Sequence, residues 1–221
     1  MSEVKYPVGI SQEQIDQWKK KFPHSKIFIW NANYNLNGEV TPFSCVARTP
    51  DREIVNKYLK LAKDPEKSSK ILIANCVLSG GESLEAHDDL YYGMMKKLAD
   101  LIPDADVRTS KLDRESLPEG ITAAMVDEWE KKYGADKLLQ IEAEVKEGTQ
   151  EFKGVIRTPD RFVITDYLRL ADNPRKSSES LVKNCVLHGV KSVLDDDGLF
   201  FGTLRTLADL IPDTVGDTVF I

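Results

Sequence analysis

The chain repeats itself, and that repeat constrains its fold more than any other feature. Thr49-Pro50-Asp51-Arg52 recurs 109 positions later as Thr158-Pro159-Asp160-Arg161. At the same offset Asn75-Cys76-Val77-Leu78 returns as Asn184-Cys185-Val186-Leu187, and the seven residues from Leu98 to Asp104 return from Leu207 to Asp213. No gap is needed between Thr49 and Asp104, and about half the positions are identical. Upstream the offset becomes 111, matching Pro7, Gly9, Ile10 and Trp18 to Pro118, Gly120, Ile121 and Trp129. We read the chain as a tandem duplication, with modules at 1–105 and 117–221 and a polar linker at 106–116 that is too short to hold another element. Two copies are fewer than a solenoid needs.

Each module reads as α+β, in the order α-β-β-α-α-α, a β-hairpin packed with about four helices. Ser11, followed three residues on by Gln14, predicts a capped helix carrying Ile15 and Trp18, with Lys19, Lys20 and Lys21 at its negative end. Leu139, Ile141, Ala143 and Val145 alternate with polar residues as a half-buried strand does. Asn37-Gly38 and Glu147-Gly148 mark the hairpin turns, where the change of offset also falls. Pro42 cannot donate to a ladder, so the return strand is expected to be an edge there. Thr49-Pro50 predicts the start of the next helix, with Val55, Tyr58, Leu59 and Ala62 as its buried stripe and Ile164, Tyr167, Leu168 and Ala171 as theirs. Asp64-Pro65 and Asn173-Pro174 open a further helix that Gly80 and Gly189 stop. A last helix starts near Asp88 or Asp197.

Chemistry-bearing residues fit structural roles. Cys76 and Cys185 lie on apolar helical stripes, where a free thiol packs as a small hydrophobe, and Cys45 has a glycine as its counterpart. His24, His87 and His188 share no zinc-ligand spacing and have no counterpart in the other copy. Asp195-Asp196-Asp197-Gly198 lacks the alternating ligands and distal glutamate of a calcium loop. Lys67-Ser68-Ser69 and Lys176-Ser177-Ser178 have no glycine-rich loop before them, so phosphate cradling is not expected. Neither a nucleophile with a base nor a carboxylate pair stands out. We therefore expect no enzyme, no cofactor and no metal.

The partner expected is another protein. Lys+Arg 30 against Asp+Glu 36 gives a net charge of −6, which argues against a broad hold on nucleic acid or anionic lipid. That excess falls wholly in the second half, the first being balanced. Apolar runs are far too short to span a membrane, and the first residues lack a leader's basic start and apolar centre. Three cysteines without CxxC spacing point to a reducing, cytoplasmic setting. On the first hairpin, alternation puts Phe28, Trp30, Ala32 and Tyr34 toward the core, leaving Ile27 and Ile29 on the other face. Ile27, Ile29, Arg52 and Arg161 are the candidate partner-binding residues, the two isoleucines because an apolar second face needs a cover.

The order Pro50-Asp51-Arg52, Asp64-Pro65, Asn75-Cys76, Gly80, Asp88 and Leu90, repeated from Pro159 to Leu199, resembles the tail-assembly-chaperone-like proteins of tailed bacteriophages and prophages. The likeness covers about the last sixty residues of each copy and the hairpin before them. It implies small α+β modules without catalysis that hold aggregation-prone tail components, in the host cytoplasm, during assembly. Such proteins are usually single modules, so a fused pair leaves two alternatives open. One is a structural virion component built into the particle. The other is a regulator that binds a small molecule or metal.

Overall fold

The computed structural model describes residues 6–145 and 150–211. The chain divides into two compact units, Met1–Pro103 and Asp104–Ile221, and each is mixed α+β. The turn expected at Glu147-Gly148 lies outside the described residues.

In the first unit, α1 (Gln12–Lys21) opens with the expected capping box, Ser11 accepting from the Gln14 N–H and Gln14 from the Ser11 N–H. β1 (Ile27–Leu36) and β2 (Glu39–Arg48) form an antiparallel two-stranded sheet. Asn37 and Gly38, at φ 54° and 90°, make the two-residue turn that suits the strands' twist. α2 (Arg52–Lys60) and α3 (Pro65–Cys76) follow. Asp64 caps α3 from the position before Pro65, as the sequence predicts. The cap of α2, however, is Asp51, whose carboxylate accepts from the Ile54 N–H, rather than Thr49. Thr49 instead ties the strand ends, its hydroxyl accepting from the Lys26 N–H at 3.0 Å.

Gly80 does not terminate α3. That helix ends at Cys76, and residues 77–79 run beside β2, with the Leu78 N–H donating to the Val46 carbonyl. Gly80, at φ 75°, then begins a short helix, α4 (Gly81–Ala86), and α5 (Asp88–Asp100) completes the unit. Each unit thus has five α-helices among the described residues, where about four were expected. The core gathers Cys45 and Ala47 from β2, Ile54 from α2, Leu72 and Cys76 from α3, and Leu90, Met94 and Leu98 from α5. Phe28, Trp30, Ala32 and Tyr34 pack against it, as the alternation requires.

The second unit carries the larger difference. The stretch expected to be a linker contains β3 (Arg108–Lys111), which pairs antiparallel with β4 (Leu138–Val145). α6 (Ala123–Tyr133) precedes β4, and β5 (Gln150–Arg157) returns beside it. α7 (Arg161–Arg169), α8 (Pro174–Cys185), β6 (Val186–His188), α9 (Val190–Asp195) and α10 (Asp197–Asp209) follow. The sheet order is β3-β4-β5-β6. One face packs on Leu181, Cys185, Leu199, Phe200 and Leu207, while Ile121 and Val126 cover Val155 on the other.

β3 is held from two sides. Arg108 sits opposite Glu142 across the ladder, and the preceding chain lies along α10, where the Ala105 N–H donates to the Gly198 carbonyl. Gly202 allows this approach, because a Cβ there would come within 2.2 Å of the Ala105 carbonyl oxygen.

The leucines placed on the buried stripes of α2 and α7 are exposed instead, Leu59 at 42% and Leu168 at 61%. Ile54 and Val163 are buried in their place, while Val55 is buried as expected. Tyr58 and Tyr167 of the expected stripes pack against the two cores.

Candidate interaction surfaces

The shared tetrad is part of a pentad, and its first residue matters most. Arg48 and Arg157 are only 6% and 7% exposed. The Arg48 guanidinium donates to the Asn75 carbonyl, the Ser25 hydroxyl and the Asp51 carboxylate, at 2.9, 3.0 and 2.8 Å. Its plane stands 4.1 Å from the Phe22 ring centroid. Arg157 repeats the arrangement with the Asn184 carbonyl, Asp160 and the Tyr133 ring. Each arginine thereby joins the end of the first helix, the cap of the second and the end of the third. Burial works against the charged Asp51, but the Arg48 hydrogen bond, the Ile54 N–H and the Arg48 charge outweigh it. The carboxyl is held below the usual aspartate range. Asp160 is held low first by the Val163 N–H, with Arg157 adding to it against burial.

Arg52 and Arg161, singled out from the sequence, are the first residues of α2 and α7. Arg52 is half-buried and Arg161 exposed. Arg161 borders a cleft of about 710 Å³ with Lys132, Lys137, Thr158 and Asp160. Ile27 and Ile29 are half-buried on β1. Among the described residues, β1 pairs with β2 alone.

A more developed surface lies between α3, α4 and α5 of the first unit, where a groove of about 950 Å³ is open to solvent. Ile73, Ala74, Tyr91, Tyr92 and Met95 give it an apolar lining, and Glu66, Lys70, Glu85 and Asp88 give it a charged border. The Tyr91 and Tyr92 rings meet edge to face, 5.6 Å apart. Tyr92 is 60% exposed. The Ser69 hydroxyl donates to the Pro65 carbonyl at 2.7 Å and sits 2.9 Å from the Met95 sulfur. Lys70 pairs with Glu66 along the border. At the corresponding places in the second unit Phe200 is buried where Tyr91 is half-buried, and Phe201 packs on the core where Tyr92 is exposed, while Leu204 and Met95 each pack against the core of their own unit. The sequence carries a signal for the groove. Tyr91, Tyr92 and Met95 make α5 apolar over more of its circumference than one buried stripe needs.

The three cysteines are free and buried, and burial pushes their thiols up to about 12 for Cys45 and Cys76 and about 11 for Cys185. Thiols in that state are poor nucleophiles. Among the described residues, no group of three His, Cys, Asp or Glu could hold a metal ion, and no helix is long and apolar enough to cross a membrane. Comparison of the chain with protein-family models, with curated proteins and with solved structures gives no match.

Proposed function

We propose that the chain is a non-enzymatic protein of a phage or prophage that binds another protein during tail or virion assembly. The observation that carries the binding role is the α3–α4–α5 groove. Its apolar centre of Tyr91, Tyr92 and Met95 within a charged border has the make-up of a protein-recognition site. Tyrosines supply large contact area with few torsions to freeze, and a methionine adapts to an irregular partner surface. An amphipathic helix or loop of a client would lay its apolar side on these three residues and its polar side on Glu66, Lys70, Glu85 and Asp88. The phage setting rests on the resemblance of the repeated helix-start motifs.

The test is a tagged pull-down from phage-producing cells, comparing the wild-type protein with the Tyr92→Ala/Met95→Lys double variant by quantitative mass spectrometry. We expect one tail or virion protein to be enriched by the wild type and lost with the variant. Recovery of no virion protein, or equal recovery by both, sinks the proposal. Retention of the protein in purified particles would point instead to a structural component.

A further inference from the structure

We infer that the outer edge of β1 is a self-association site, at which a second copy of this chain adds its own β1 in antiparallel orientation. The second unit shows what such an edge accepts. There, β3 lies against Leu139–Glu142 of β4, and of these Gln140 and Ile141 are buried. The residues of β1 that correspond to Gln140 and Ile141 are Ile29 and Trp30, which are half-exposed, with Phe28 and Ile27 beside them. They are also more apolar than the set that β3 covers. The outer edge of β2 is already served by residues 77–79, through the Leu78 N–H and the Ala47–Val77 bridge.

Charge identifies the occupant. β4 receives a basic strand, Arg108-Thr109-Ser110-Lys111, with Arg108 opposite Glu142. β1 has Asn31 at that place, and its ten residues carry no charge and no proline. Strands that must stay unpaired usually carry one of those protections. An uncharged strand suits the β1 edge, and β1 itself is one. About a two-fold axis at Ile29, each Ile29 faces its equivalent, and Phe28 faces Trp30 of the second copy. Every central cross-strand pair is then apolar or aromatic. The outcome is a continuous four-stranded sheet in the order β2, β1, second-copy β1, second-copy β2, an isologous contact that closes on itself.

Sedimentation equilibrium on the full chain reads this directly. The wild type should behave as a dimer at tens of micromolar, while Ile29→Lys, which sets two like charges face to face, should raise the dissociation constant at least about 100-fold with an unchanged circular dichroism spectrum. Should Ile29→Lys disturb folding, Ile29→Gln, carrying the residue found at position 140, gives the same comparison without a charge. Mild oxidation of Ile29→Cys should trap a disulfide dimer, whereas cysteine at the exposed Val40 should not, the native thiols being buried. A monomer at every concentration overturns the inference, as does a dimer indifferent to both substitutions at Ile29. A wild-type monomer that dimerises only when residues 2–5 are deleted overturns it too, because the chain's own N-terminal segment would then be the occupant.

Discussion

Replacing Arg48 with methionine should cost the first unit about 2–3 kcal/mol, and the structure sets that figure. Methionine keeps most of the apolar contact over Phe22 but removes the donors to the Asn75 carbonyl, the Ser25 hydroxyl and Asp51. Depriving a buried ion pair of one partner costs about 3–5 kcal/mol, because the other charge is left in a poorly solvated place. Asp51 retains 29% of its side-chain exposure and its bond from the Ile54 N–H, so water and the helix end recover part of that loss. Asp160, at 53%, is better solvated, and Arg157→Met should therefore cost less, about 1–2 kcal/mol. The assay is urea unfolding, followed by far-UV circular dichroism and by the fluorescence of Trp18 and Trp30 in one unit and Trp129 in the other. With a slope of about 1–1.5 kcal/mol per molar for a unit of this size, Arg48→Met should lower the first unit's midpoint by about 2 M. Adding Asp51→Asn to Arg48→Met should recover part of the loss by removing the stranded charge. A shift below about 0.5 M, or a larger one for Arg157→Met, would refute the reasoning.

The lowered pKa values of Asp51 and Asp160 set a pH window. Their stabilisation should be complete above the unfolded-state value of about 3.9 and be lost as pH falls through the lower folded values; acid titration of urea midpoints should show a smaller acid loss in Arg48→Met. Gly202→Ala should destabilise the second unit by about 2 kcal/mol or more, since its Cβ would strike the Ala105 carbonyl. Gly93→Ala, whose Cβ would meet only the edge of the Trp30 ring at 3.2 Å, should cost under about 1.5 kcal/mol, with thermal denaturation giving both values. The three thiols should be silent to Ellman's reagent in buffer and react fully in denaturant, as their burial and raised pKa values require. Fast reaction of any one in the native protein would contradict the packing described.

What the sequence made legible was local. Ser11 with Gln14, Asp64 with Pro65 and Asn37 with Gly38 each act within three or four residues, so residue type alone places them. The core side of β1 was legible because strand alternation needs only a period of two. β3 was not, because its four residues are polar and exposed and it exists only through a partner strand about thirty positions away. Leu59 and Leu168 misled because a nine-residue helix offers two adjacent apolar arcs, and only the sheet beneath decides between them. Arg48 and Arg157 were passed over for a related reason. A basic residue ending a strand usually faces water, and nothing local announces that the third helix will bring a carbonyl to it. Of the candidate sites, Ile27 and Ile29 were found from alternation, but the openness of the edge beside them depends on pairing that no single strand records.

One pair of glycines lies beside two different strand edges. Gly202 and Gly93 occupy the same place in α10 and α5, 109 positions apart. At Gly202 the vacant Cβ volume admits the chain at Ala105 and Val107, which delivers β3 to the edge of β4. At Gly93 the same volume faces the Trp30 ring of β1. Trp30 therefore takes up space on the core side that the second unit gives to the lead-in of its extra strand, where the matching strand residue is the smaller Ile141. The exchange keeps the core of the first unit packed with no covering strand among the described residues, and it leaves four apolar residues half-exposed along an uncharged strand. A strand arriving there meets a finished core and need order only itself. That lowers the entropic cost of pairing compared with an edge that must also be repacked.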